Sequence, residues 1–117
     1  MVITIAGSRN FEDYEKGKSF IDDCLSKIEN DEITVLSGGC RGSDKIGERF
    51  AKEKNYNLII YRAEWDKYGK AAGIIRNKKM ADRSDCIICF WDGKSKGTKS
   101  LIDYALKKSV TVFVCYI

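Results

Sequence analysis

The side chains able to do chemistry in this sequence gather around glycines. Gly7-Ser8-Arg9, the run from Gly38 to Asp44, and the run from Trp91 to Thr98 each follow an apolar stretch. The middle one says most. From Ile33 to Glu48 the chain passes from β-branched residues through Gly38, Gly39 and Gly42 into a run with helical spacing, the way an α/β domain builds an anion cradle. The glycines allow a sharp turn and close approach to a ligand. Ser43 or Asp44 can cap the helix, whose first N–H groups then face the turn. Arg41 adds a planar, permanently charged fork suited to phosphate or carboxylate.

The spacing Gly-Gly-x-x-Gly is neither the dinucleotide fingerprint nor a Walker loop. Gly93-Lys94-Ser95 ends like a Walker loop, but Ile88 stands where its first glycine belongs. A tight strand-to-helix connection that uses glycine only for geometry is the plainer alternative.

Histidine is absent, so any base or nucleophile must be a carboxylate, lysine, hydroxyl or thiol, and His-dependent hydrolase and metal chemistries are excluded. Arg9, Arg41 and Arg76 fall at loops or helix starts and could clamp a phosphate or pyrophosphate; surface solvation is the alternative. Ser95 and Thr98 can offer hydroxyls and N–H groups to a second phosphate, or simply cap a helix. Asp44 and Glu48 lie one turn apart: Asp44 suits a ribose hydroxyl or a water, whereas Glu48 suits pairing with a neighbouring Lys or Arg. Trp65 and Trp91 could stack on a base or pack in the core. Asp92 could orient a ribose, but with no acidic neighbour in sequence it makes no dedicated metal cage.

The elements that must carry these residues alternate. Strands are expected at Val2 to Ala6, Ile33 to Ser37, Leu58 to Tyr61, Cys86 to Phe90 and Thr111 to Cys115. Four helices are expected between them: Asp13 to about Glu29, ended by Asn30 and Asp31; Ser43 to Lys54, ended by Asn55; one from about Gly73 to Arg83; and one from the Thr98 region to Lys108. Arg62 to Gly69 reads as a polar loop. Apolar strands alternating with helices indicate a single three-layer α/β domain with a mainly parallel five-stranded Rossmann-like sheet, order 3-2-1-4-5. That order brings the three glycine-containing loops to one carboxyl edge, where such sheets bind ligands.

At 117 residues the chain makes one domain. No stretch is long or apolar enough for a bilayer, and a strand follows Met1 directly, so the expectation is a cytoplasmic protein without signal peptide. The formal charge of +4 is spread over helix surfaces, which favours anionic ligands only mildly and nucleic acid least. Of the five cysteines, Cys86 and Cys89 sit three apart on a strand and face opposite ways, so they share no metal. All but Cys40 read as core residues.

Taken together, Gly7-Ser8-Arg9-x-Phe11, Ser37-Gly38-Gly39-x-Arg41-Gly42-x-Asp44, Trp65 with Gly69-Lys70-x-Ala72-Gly73, Ile75-Arg76-Asn77-x-x-Met80-Ala81 and Phe90-Trp91-Asp92-Gly93-x-Ser95-x-Gly97-Thr98 resemble the small YpsA-related group of the SLOG superfamily. That superfamily unites the DNA-processing DprA/Smf proteins with the Lonely Guy phosphoribohydrolases. The resemblance runs over nearly the whole chain in sequential order. It implies one nucleotide-binding domain over 1–117 that senses, sequesters or processes a nucleotide-derived small molecule, such as an ADP-ribose or NAD-related ligand, in bacterial or phage conflict. No cofactor is implied. Phosphates would sit at the starts of the second and fourth helices. The implied ligand-binding set is Gly7, Ser8, Arg9, Gly38, Gly39, Arg41, Gly42, Asp44, Trp65, Lys70, Arg76, Asn77, Trp91, Asp92, Ser95, Gly97 and Thr98. Self-association into a homo-oligomer follows by the same analogy.

Two departures matter. Arg62 and Ile74 stand where relatives usually have proline, and the chain has no proline at all, so that rim is less rigid. Arg76 with Met80 resembles the arginine stretch of the Lonely Guy enzymes, but Leu101 replaces the glutamate of their G-T-x-x-E. A carboxylate that steadies a ribosyl cation has no apolar substitute, so a binding module is the first expectation. A hydrolase of an N-glycosidic or phosphate bond, using Asp44, Glu48 or Asp92, is the alternative.

Overall fold

A computed structural model describes residues 1–28 and 32–117. Its elements are β1 (Val2–Gly7), α1 (Tyr14–Ser26), β2 (Thr34–Ser37), α2 (Ser43–Glu53), β3 (Asn57–Ile60), α3 (Trp65–Tyr68), α4 (Ala72–Arg83), β4 (Cys86–Trp91), α5 (Lys96–Lys107) and β5 (Thr111–Tyr116), with a 3-10 turn at Gly69–Ala71 before α4. All four strand pairings are parallel, and the order β3-β2-β1-β4-β5 is the expected one.

The strands are apolar on both sides because both sides are covered. Ile3, Ile5, Val35, Ile88 and Phe90 meet Tyr14, Ile21 and Cys24 of α1 and Ile46, Phe50 and Ala51 of α2. Ala6, Ile87 and Cys89 meet Ala81 of α4 and Leu101, Ile102 and Ala105 of α5. Cys86 and Cys89 belong to these opposite faces. Cys24, Cys86 and Cys89 are buried, Cys40 and Cys115 only partly, and Cys115 packs against the first face.

Differences from the sequence expectation are local. Asp13 caps α1 by accepting the Lys16 amide at 3.1 Å, and the helix stops at Ser26; the expected breaker at Asn30 and Asp31 lies outside the described residues. Asn55 does end α2: it takes φ 57, and the Tyr56 amide returns to the Ala51 carbonyl at 2.8 Å, closing a Schellman motif. The Arg62–Gly69 stretch is no plain loop but contains the single turn α3, so the expected fourth helix is α5. Neither Ser43 nor Asp44 caps α2. The cap is Gly42 at φ 76, without a side-chain bond, because Ser43 turns its hydroxyl to another loop.

Candidate functional site

The carboxyl ends of β1, β2 and β4 meet at the point where strand order reverses, and Ser8 ties their loops together. Its amide donates to the Phe90 carbonyl at 2.8 Å. Its carbonyl accepts from the Ser43 amide at 3.2 Å and the Ser43 hydroxyl at 2.8 Å. Its Oγ accepts from the Asp92 amide at 3.3 Å and lies 3.2 Å from Ser95 Oγ. Two glycines make this approach possible. A Cβ on Gly7 would fall 2.1 Å from the Phe90 carbonyl oxygen, and one on Gly42 would fall 2.2 Å from that of Arg9.

These loops enclose an open cavity of about 420 Å³. Of the residues expected at a ligand, Gly7, Ser8, Arg9, Arg41, Asp44, Arg76, Asn77, Asp92, Ser95, Gly97 and Thr98 line it. The expected ligand-binding set leaves out Ala6, Asn10, Cys40, Met80 and Lys96, which line it too; Asn10 directly follows Gly7-Ser8-Arg9 and Lys96 lies inside the third loop, so adjacency was the available signal. Leu101, the residue at the missing glutamate position, is also in the wall.

Other expected residues stand elsewhere. Gly38 is buried behind the wall, and Gly39 faces Ile60 and Arg62. Trp65 is 53% exposed and Lys70 is exposed; neither lines the cavity, and the Trp65 ring lies beside Gly73. The Trp91 indole N–H donates to the Ser95 carbonyl at 3.1 Å, and its ring lies against Tyr116. It braces the β4–α5 loop from behind.

Each of the two helix starts has a carboxylate of the protein beside it. At α2 the turn already holds an anion of the protein's own: Asp44 Oδ2 accepts the Cys40 amide at 3.0 Å. Burial pushes the Asp44 carboxyl up to about 6, against the opposing pull of the Cys40 amide and the Arg76 guanidinium. Arg76 is itself buried; its Nη1 donates to the Gly38 carbonyl at 2.7 Å and its Nε to Asn77 Oδ1 at 2.8 Å. At α5 the N-cap Ser95 makes no side-chain cap bond, so first-turn N–H groups are left for an external acceptor. Asp92 holds the approach to that turn by accepting the amides of Lys94 and Ser95, both at 2.8 Å. Those amides, Ser95 first, keep its carboxyl below the usual range.

Glu48 does not line the cavity. It accepts the Ser37 hydroxyl at 2.6 Å and pairs with Lys45 at 3.2 Å, the pairing with a neighbouring cation expected for it, while its charge still pushes the Asp44 carboxyl up. Among the described residues no group of three or more Cys, Asp or Glu is placed to hold a metal, and no helix is long and apolar enough to cross a membrane.

Comparison with known proteins fits this geometry. The model of a family described as YspA, cpYpsA-related SLOG matches residues 1–68. The chain is similar to the Gene 61 protein of Mycobacterium phage D29, with 31% identity over 116 residues, 94% of this chain and 92% of that one. Among solved structures it resembles DNA processing protein A (DprA) from Streptococcus pneumoniae, with a TM-score of 0.73 at 19% identity. That likeness covers 97% of this chain but 49% of the DprA chain, and it concerns the fold.

Proposed function

Starting from the chain's membership of the YspA, cpYpsA-related SLOG family, we propose that it binds a nucleotide-derived small molecule in the cavity at the carboxyl edge of β1, β2 and β4. The phosphate sits at the start of α5, and the sugar lies against Asp44 and Asn77. One observation carries this reading: the cavity wall combines Arg9, Arg41, Arg76 and Lys96 with the uncapped first turn of α5. Such a wall suits a ligand with a concentrated negative end. At the α2 start the Ser43 amide is already taken by the Ser8 carbonyl, so that turn suits hydroxyl groups better than a second phosphate. With Leu101 in the wall, no carboxylate stands where the Lonely Guy chemistry needs one. The similarity to a phage protein supports a phage or bacterial conflict setting.

A second reading has its own support. Asp44 is a buried carboxyl on the cavity wall that titrates at about 6, a value suited to proton transfer near neutrality. In that case the protein hydrolyses an N-glycosidic or phosphate bond of the same ligand.

Incubation with adenine and guanine nucleotides, NAD, ADP-ribose and cyclic derivatives, followed by mass spectrometry of bound and free pools, separates the two. Intact retained ligand, lost in a Lys96→Ala, Arg9→Ala variant, is the expected result. Altered ligand in the free pool, abolished by Asp44→Asn, would favour the hydrolase. No retention and no turnover would overturn both.

A further inference from the structure

The sheet has two edges, and they are not alike. β3 is four residues long, with Arg62 and Glu64 just beyond it. β5 is six residues long, and from Val110 to Ile117 the sequence has neither a charge nor a proline. Its register with β4 runs unbroken from Thr111 to Tyr116, so no bulge turns it aside. Edge strands are ordinarily guarded by charge, proline, bulges or shortness; β5 has none of these.

The direction of its free backbone groups follows from one bond. The Ile117 amide donates to the Trp91 carbonyl at 3.0 Å. N–H direction alternates along a strand, so Thr111, Phe113 and Cys115 also address β4, while Val112, Val114 and Tyr116 present N–H and C=O outward. Such a row is a template for another extended strand.

We propose that β5 pairs antiparallel with β5 of a second copy, about a twofold axis through Val114. Outward residues must oppose outward residues, and this register uses all of them: Val112 faces Tyr116 of the second copy, and Val114 faces its own counterpart. On the other face Phe113 lies opposite Cys115, and Thr111 opposite Ile117. A strand without charge can lie against its own copy with no repulsion across the pair. Val112, Phe113, Val114 and Cys115 are each only half-buried within one chain, and Tyr116 is 69% exposed, so pairing covers apolar surface that one chain leaves open. The arrangement closes on itself, whereas β5 against β3 of the next copy would leave an open-ended chain. Because the paired strands run in opposite directions, the two cavities open at opposite edges of one continuous sheet. Each site remains complete in its own chain.

Light scattering and sedimentation over a dilution series test this on the purified full chain. The wild-type protein is expected to be a dimer that dissociates on dilution. Val114→Pro removes no bond to β4, because that N–H points outward, but it deletes both central bonds between the copies and is expected to weaken dimerisation about tenfold or more. Its circular dichroism and ligand retention should be unchanged. Register is tested by charge: Thr111→Lys with Ile117→Lys should dissociate the dimer, and Thr111→Lys with Ile117→Glu should restore it. A wild-type monomer at every concentration, or a dimer indifferent to both Val114→Pro and the lysine pair, would overturn the proposal. Equal behaviour of the two charge pairs would overturn its register.

Discussion

Arg76 reaches across from α4 to the end of β2, where its Nη1 donates to the Gly38 carbonyl at 2.7 Å. The contact is tight enough that a Cβ on Gly38 would lie 2.7 Å from Arg76 Nη1 and 2.8 Å from Asp44 Oδ2. A guanidinium expected to grip a ligand is thus committed first to the protein, tying α4 to the turn after β2. It also supplies the positive charge beside a buried carboxyl.

Removing that cation has two coupled consequences. Arg76→Ala leaves the Gly38 carbonyl without its charged donor and Asp44 without its counter-charge. A loss of roughly 3 kcal/mol in urea unfolding is expected. The Asp44 carboxyl should also rise above its value of about 6, since Arg76 opposes the effect of burial. Arg76→Lys, which keeps charge but not the fork, should fall between. NMR titration of the Asp44 carboxyl carbon reads the shift, and an unchanged titration in Arg76→Ala would mean the two groups do not interact.

Asp44 makes folding pH-dependent in a direction opposite to the common acidic case. Its carboxyl moves from 3.8 to about 6 on folding, so between those values the folded state holds a proton that the unfolded state has released. The contribution is therefore fully present below about pH 4 and is lost as pH rises through about 6, a swing of roughly 2 to 3 kcal/mol. Asp44→Asn keeps an acceptor for the Cys40 amide and cannot ionise. Relative to wild type it should gain stability as pH rises from 4 to 7; parallel stability curves would show that Asp44 is not perturbed.

The backbone geometry of the turn before α2 gives a third test. Gly42→Ala must hold φ 76 with its Cβ 2.2 Å from the Arg9 carbonyl oxygen. It should cost about 2 to 4 kcal/mol and separate Ser43 from Ser8. Ser43→Ala, which loses only the hydroxyl donated to Ser8 at 2.8 Å, should cost about 1 kcal/mol. Thermal melts of the two variants give the ranking, and a Gly42→Ala protein as stable as wild type would refute the close approach.

The sheet was legible because every strand is apolar on both faces and every crossover has room for a helix, which leaves few topologies. The cavity was legible for a related reason. Gly7, Arg9, Arg41, Asp92 and Thr98 follow strand ends, and strand ends converge. Trp65 and Lys70 stand outside the cavity lining, and nothing in their spacing tells which way a one-turn helix points. Trp91 adjoins a strand end, yet its indole is claimed by a carbonyl four residues on. Ser43 has the composition of a cap, but its hydroxyl donates to the Ser8 carbonyl of another loop instead of accepting a first-turn amide. Such choices between equivalent partners are made by packing.

Gly97 separates stability from binding. It stands in the first turn of α5 on the cavity wall, and a Cβ there would meet nothing within 4 Å. Glycine is therefore not needed for the fold at this position. Alanine loses less conformational freedom in a helix, so Gly97→Ala should stabilise the protein by roughly 0.5 kcal/mol and raise the melting temperature slightly. The same methyl would stand where a phosphate must approach the first-turn N–H groups, and affinity for the retained ligand should fall about tenfold, an energetic loss of roughly 1.4 kcal/mol. Calorimetric titration beside a thermal melt reads both effects in one preparation. A variant that is more stable and binds as tightly as wild type would move the phosphate away from α5, and with it the main role assigned to that helix start.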